Sequence, residues 1–304
     1  MKNFLSTKDL TKEEILNIFD LADTFRELNT RGVKKAPALA GKTVINLFFE
    51  NSTRTRTSFE IAEKRLSADS INFSVAVSSA QKGETLIDTV HNLESMKADI
   101  FVIRHECSGA VKFVADNTPV PVINAGDGLN EHPTQSMLDI YTIRRAKNRL
   151  EGLNVTIMGD ISHSRVARSN IWAMKTMGMN VRLFGPPTVM PNDVTSFGCK
   201  ICKNIDEALD DADALIILRI QRERQGELLI PSAREYARFF GVMPHHFVKM
   251  KKDSLILHPG PINRGVEISS HAADSDKSAI LEQVENGVAI RMAILCMVDK
   301  GIKA

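Results

Sequence analysis

Short unbroken apolar runs alternate along this chain with stretches in which apolar residues recur every third or fourth position. The first pattern suits strands buried on both faces, the second helices with one buried side. Thr11 can cap a helix opening at Lys12-Glu13-Glu14, with Ile15, Ile18, Phe19 and Leu21-Ala22 on one face. Gly32–Ala40 reads as a loop, and Val44 to Phe49 as a buried strand. Ser52 then stands at the N-cap of a helix whose stripe is Phe59, Ala62 and Leu66. Further strands are expected at Ser70–Val77, at Ile100–Ile103 with Arg104 just past its end, and at Val120–Asn124. A helix carrying Leu86, Val90, Leu93 and Met96 separates the first two of these. Pro133 opens a helix reaching Ala146, which puts His132 at its mouth and Gln135 in its first turn.

A second series follows. Its strands are Val155–Met158, Val181–Phe184, Ala214–Leu218 and Ser254–Leu257. Its helices are one with Val166, Ile171, Met174 and Met177 inward, and a short one at Ile205–Leu209. The closing helix, from about Lys277 to Lys300, turns Ile280, Val284, Ile290 and Ile294 toward a core. Strands alternating with helices predict an α/β fold of mostly parallel sheets flanked by helices. Ligands of such sheets lie outside the carboxyl ends of the strands, where Ser52–Thr55, Arg104 and His132–Gln135 all fall.

The joint at Asn51-Ser52-Thr53-Arg54-Thr55-Arg56-Thr57 carries the strongest chemistry. It runs from a strand into a helix N-terminus, where N–H groups lack internal partners and the macrodipole is positive. Hydroxyls and two guanidinium groups crowd that turn, which predicts a site for a multiply charged oxyanion such as phosphate. An ordinary capped helix would explain Ser52, but not two arginines at the end where cations are disfavoured.

Composition narrows the classes. A chain of 304 residues has room for two domains of roughly 150 residues each. A net charge of +2, one Trp and two Tyr give no basic run and no stacking surface, so no nucleic acid is expected. The first residues are too polar for a signal peptide and no window is long and apolar enough for a membrane helix; a cytoplasmic location and no membrane partner are expected. Four cysteines without a framework suit a reducing compartment. Cys199-Lys200-Ile201-Cys202 is a lone pair better taken as a short strand than as a metal site. G-x-G-x-x-G and G-x-x-x-x-G-K-[ST] are both absent, which disfavours nicotinamide and P-loop enzymes. His91, His163, His245 and His246 read as surface or structural residues.

With these loops in hand, the chain resembles the carbamoyltransferases. Phe49-Glu50-Asn51-Ser52-Thr53-Arg54-Thr55-Arg56 resembles the family's S-T-R-T-R loop for carbamoyl phosphate, and His132-Pro133-Thr134-Gln135 its H-P-x-Q signature. Both are shared between the aspartate and ornithine branches. Ser78–Thr85 with Lys82, Leu218–Gln221 and His258–Pro261 resemble the aspartate branch; the ornithine branch typically has a Cys at the last of these. Asn51 departs from the pattern, since Pro often stands there.

The resemblance implies two doubly wound domains with the active site in the cleft between them. Residues 1–147 plus 281–304 would bind carbamoyl phosphate and residues 148–280 aspartate. It implies carbamoyl transfer from carbamoyl phosphate to the α-amine of L-aspartate, in de novo pyrimidine biosynthesis, without cofactor or metal. Ser52, Thr53, Arg54 and Thr55 would hold the phosphate. Thr55, Arg104 and His132 would face the carbamoyl oxygen, and Gln135 the carbamoyl NH₂ with backbone near Pro259 and Gly260. Arg165, Arg219 and Gln221 would bind aspartate; Ser78 and Lys82 would enter a neighbouring subunit's site in a homotrimer. A higher assembly with regulatory chains or a dihydroorotase stays open, as do transfer to ornithine or a related amine and a non-catalytic phosphate-sensing role. A cis bond is expected between Gly260 and Pro261.

Overall fold

The first capping signal is realised in full. Thr11 Oγ1 accepts from the Glu14 N–H at 3.1 Å and the Glu14 carboxylate accepts from the Thr11 N–H at 2.9 Å, closing a capping box on α1 (Lys12–Asn29). The structure, a computed structural model, describes residues 1–74, 84–192, 194–220, 229–230 and 232–301. After α1 come β1 (Thr43–Phe48), α2 (Thr53–Arg65), β2 (Asp69–Ser74), α3 (Leu86–Ser95), β3 (Ile100–His105), α4 (Ala110–Asp116), β4 (Val122–Asp127) and α5 (Pro133–Lys147). The series continues with β5 (Asn154–Met158), α6 (Arg165–Thr176), β6 (Asn180–Phe184), β7 (Lys200–Ile201), α7 (Ile205–Leu209) and β8 (Ala214–Ile217). It closes with α8 (Ala233–Phe239), β9 (Leu255–Leu257), α9 (Ser270–Ala273) and α10 (Ile280–Asp299).

Two compact units result. The first is Met1–Leu138 with Glu285–Ala304, the second Asp139–Val284. In the first, four parallel strands lie in the order β2-β1-β3-β4. The chain winds from β1 outward to β2 and then returns to β3 on the other side, so the strand order reverses between β1 and β3. Ile45, Leu47, Phe101 and Ile103 meet Val90 and Val111 from the helices in its core. The chain comes back to this unit through α10, whose Val288–Ile290 and Met292–Val298 are buried. There Arg291 lies 5.1 Å from the Phe59 ring centroid and Asp299 pairs with Lys42 at 3.5 Å.

In the second unit five parallel strands lie in the order β7-β6-β5-β8-β9, reversing between β5 and β8. Its core joins Met158, Leu215, Ile217 and Ile256 to Ile268 and Ile280. The Cys199–Cys202 segment holds the short strand β7, as expected. No described helix is long and apolar enough to cross a membrane.

Several expectations are corrected. Arg104 lies inside β3 rather than past it, because the ladder to β1 continues through the Phe48–Arg104 pair. Met96 is 73% exposed, because α3 ends at Ser95 and the chain turns away through Lys97 at φ 67°. Val284 is 54% exposed; the buried stripe of α10 passes instead through Gln283 and Asn286. Gln283 is held there by hydrogen bonds from the His258 N–H and to Asp139. The strand expected at Ser70–Val77 is seen over Asp69–Ser74, and residues 75–77 lie outside the described residues.

Candidate active site

In the first unit the strand ends at the reversal point converge on Arg104. The Phe49 N–H donates to the Arg104 carbonyl at 2.9 Å, keeping the chain after β1 beside β3. Ser52 takes the N-cap position of α2 without a side-chain bond to the helix, so its hydroxyl is not spent on capping. Thr53, Arg54 and Arg56 are exposed, while Thr55 turns inward and is buried. The Arg104 guanidinium, itself buried, donates to Glu50 Oε1 at 2.8 Å and to the Ala125 carbonyl at 3.2 Å. It approaches Thr55 Oγ1 at 3.5 Å, the outer limit of a hydrogen bond. A buried cation costs desolvation unless it is paired, and Glu50 supplies the charge.

The turn after β4 is braced from three directions. Asp127 accepts from the Gly109 N–H at 2.8 Å, from Asn124 Nδ2 at 2.9 Å and from Asn130 Nδ2 at 3.0 Å. Glu131 accepts from the N–H and hydroxyl of Thr7, both at 2.9 Å, and from Ser6 Oγ. So fixed, the chain delivers His132, 5% exposed, to the mouth of α5. Its carbonyl accepts from the N–H groups of Gln135 and Ser136 at 3.0 and 3.3 Å. Gln135 is also buried.

In the second unit the ends of three neighbouring strands β5, β8 and β9 carry the expected residues. Beyond β5, Ser164 caps α6 by accepting from the Ala167 N–H at 3.1 Å, and Arg165 is the first helical residue, 4% exposed. His163 Nδ1 meets Asp160 Oδ1 at 2.8 Å. Arg219 follows β8, half-buried, where the Leu218 N–H donates to the Met158 carbonyl at 2.8 Å. Beyond β9, His258 is buried and Pro259 and Gly260 half-buried, with the Gly260–Pro261 bond cis.

Thus Ser52–Thr55, Arg104, His132 and Gln135 stand at the strand ends of one unit, and Arg165, Arg219, Pro259 and Gly260 at those of the other. Ser78, Lys82 and Gln221 lie outside the described residues. Glu50, Asp160 and Glu267 went unassigned from sequence. Glu50 stands two residues before the S-T-R-T-R run, and a carboxylate flanking a cationic site was the available signal for it. Among the described residues, no group of three His, Cys, Asp or Glu side chains is arranged to hold a metal ion.

Residues 2–145 match the family model for the aspartate/ornithine carbamoyltransferase carbamoyl-P binding domain, and residues 151–298 that for the Asp/Orn binding domain. The chain belongs to the aspartate/ornithine carbamoyltransferase family. Within it, the chain is 62% identical over 296 residues to the aspartate carbamoyltransferase catalytic subunit of Campylobacter hominis, covering 97% of this chain and 96% of the relative. Among solved structures it is similar to aspartate transcarbamoylase from Trypanosoma cruzi in complex with carbamoyl phosphate and aspartate. That match has TM-score 0.87, 30% identity, and coverage of 98% and 95%. The ornithine carbamoyltransferase from Pyrococcus furiosus matches with TM-score 0.87 and 28% identity, covering 99% and 98%.

Proposed function

We propose that the chain is an aspartate carbamoyltransferase, moving the carbamoyl group of carbamoyl phosphate to the α-amine of L-aspartate. The observation that carries this reading is Arg104, a buried guanidinium at the end of β3 that approaches Thr55 on the anion-binding turn. Phosphate oxygens bind Ser52, Thr53, Arg54 and Thr55 at the N-terminus of α2. Thr55, Arg104 and His132 donate to the carbamoyl oxygen. The amine nitrogen attacks the carbamoyl carbon, the oxygen takes up negative charge, and those donors stabilise it more than they do the ground state. The carbon–oxygen bond to phosphate then breaks and phosphate leaves, accepting the amine's proton. Gln135 and the backbone near Pro259 and Gly260 hold the carbamoyl NH₂. Arg165 and Arg219, with Gln221, bind the aspartate carboxylates, a task suited to planar guanidinium forks.

Arg104 is already paired with Glu50, so its charge is held ready rather than free in solvent. Catalysis rests on orientation and fixed charge, with no protein nucleophile. The same reading assigns Ser78 and Lys82 to a neighbouring subunit's site in a homotrimer. The fold is common to both branches, so the acceptor decides between them. Purified protein supplied with carbamoyl phosphate is expected to turn over aspartate and to leave ornithine unreacted; turnover of ornithine alone would sink the assignment.

A further inference from the structure

Glu267 lies in the second unit, fully buried, and none of the expected site residues is adjacent to it in sequence. Its Oε1 accepts two hydrogen bonds, from the Asn263 N–H at 2.6 Å and from His258 Nε2 at 3.2 Å. The other ring nitrogen of His258, Nδ1, accepts from the Gly260 N–H at 2.8 Å. An imidazole nitrogen that accepts carries no proton, so Nε2 bears the hydrogen and Glu267 fixes that tautomer. The His258 N–H is anchored separately by Gln283 Oε1 at 2.9 Å, so the imidazole's backbone is fixed while its ring is aimed by Glu267. Asn263 Nδ2 in turn donates to the Ile220 carbonyl at 3.4 Å, directly after Arg219.

One carboxylate oxygen therefore governs two stretches of backbone. Through His258 it sets the Gly260 turn, and through Asn263 it braces the chain that carries Arg219. We propose that Glu267 is a positioning residue for the second unit's share of the reaction, holding the Pro259–Gly260 turn that faces the carbamoyl NH₂ through His258 and the Arg219 segment that binds aspartate through Asn263. This deepens the carbamoyl-transfer reading and rests on it. A buried carboxylate is costly, and among the described residues the hydrogen bonds to Glu267 come from neutral donors. Retaining it at this point fits a demand for geometry, because small displacements of a substrate-binding group cost rate steeply.

The test compares Glu267→Ala, Glu267→Gln and His258→Ala with wild type, varying carbamoyl phosphate and the acceptor separately. Glu267→Ala is expected to lose at least about tenfold in kcat/KM for aspartate, with kcat lowered through the carbamoyl contact and KM for aspartate raised, while KM for carbamoyl phosphate changes less because its phosphate contacts lie in the first unit. Glu267→Gln keeps a carbonyl oxygen for both bonds and is expected to recover most of that loss. The glutamine NH₂ replaces Oε2, which makes no hydrogen bond among the described residues. His258→Ala, which loosens the Pro259–Gly260 turn alone, should lower kcat more than it raises KM for aspartate, and the double variant with Glu267→Ala should be no worse than the poorer single. The proposal is overturned if both KM values rise together, if Gln is as poor as Ala, or if the two losses add. Should Glu267→Ala fail to fold, Glu267→Asp takes its place: it stays polar but withdraws the oxygen, and must show the same selective loss. A wild type that uses ornithine instead of aspartate defeats the functional reading alone, and the split is then read in KM for ornithine.

Discussion

Glu63 is a carboxyl group sealed from water on the inner face of α2. Its Oε2 accepts from Asn46 Nδ2 of β1 at 2.9 Å and from Ser70 Oγ of β2, so one side chain ties a helix to two strands. Burial pushes its pKa up from the usual 4.5 to about 7; the two hydrogen bonds and Lys64 oppose this, and Glu60 adds to it. A folded-state pKa above the unfolded one means that folding binds a proton. Stability from this group is therefore whole below about pH 4.5, declines through the interval up to about pH 7, and is lost above it. Glu63→Gln removes the titration. The fall in Tm between about pH 5 and about pH 8 should be smaller by several degrees in this variant than in wild type, and an unchanged fall would contradict the assignment. The sequence could not reveal this residue: it stands beside Lys64 and Arg65 and looks like a solvated face. Its partners come from strands that only the folded sheet brings together. Thr55 and His132 were legible for the opposite reason, since each stands at a helix mouth announced by its own neighbours.

At the scale of elements, the ends of β5 and β6 approach so closely that a side chain has no room between them. A Cβ on Gly185 would stand 2.2 Å from the Gly159 carbonyl oxygen, and the Gly159 N–H already donates to the Phe184 carbonyl at 2.8 Å. Gly185→Ala must displace Gly159, the first residue of the turn that leads to Arg165. It is expected to cost about 1–3 kcal/mol, seen as a lower urea midpoint, and to raise KM for aspartate more than KM for carbamoyl phosphate. Most elements were legible because strands such as β3 and β8 are largely apolar runs and the long helices carry most of an apolar stripe. The three helices that escaped, α4, α8 and α9, have seven residues or fewer, too few turns to display a period. α4 also begins at Gly109, in the left-handed region at φ 85°, and no side chain caps it. α8 did carry a signal: Ser232 accepts from the Glu235 N–H at 3.0 Å, the start of a capping box.

At the scale of the whole molecule, the homotrimer proposed above has a decisive test. Lys82→Ala and Arg54→Ala chains, each inactive alone, are mixed, dissociated and reassembled. If Lys82 works in a neighbour's site, a mixed trimer contains a site with both native residues and partial activity returns. No recovery in verified mixed trimers would count against sharing. The switch in strand order, between β1 and β3 in one sheet and between β5 and β8 in the other, was not visible in the periodicity. Periodicity says that strands alternate with helices, but not which strand lies beside which.

The first unit is completed by α10, at the far end of the chain from its strands. A ribosome delivers residues in order, so β1–β4 emerge long before the helix that packs Arg291 on Phe59 and Asp299 against Lys42. The unit that emerges first is thus the last to have all its parts, while the second unit is fully delivered once Val284 has left the exit tunnel. During that interval the apolar surface awaiting α10 stays open, and a message truncated just upstream of Glu285 would release one whole unit tethered to one permanently unfinished.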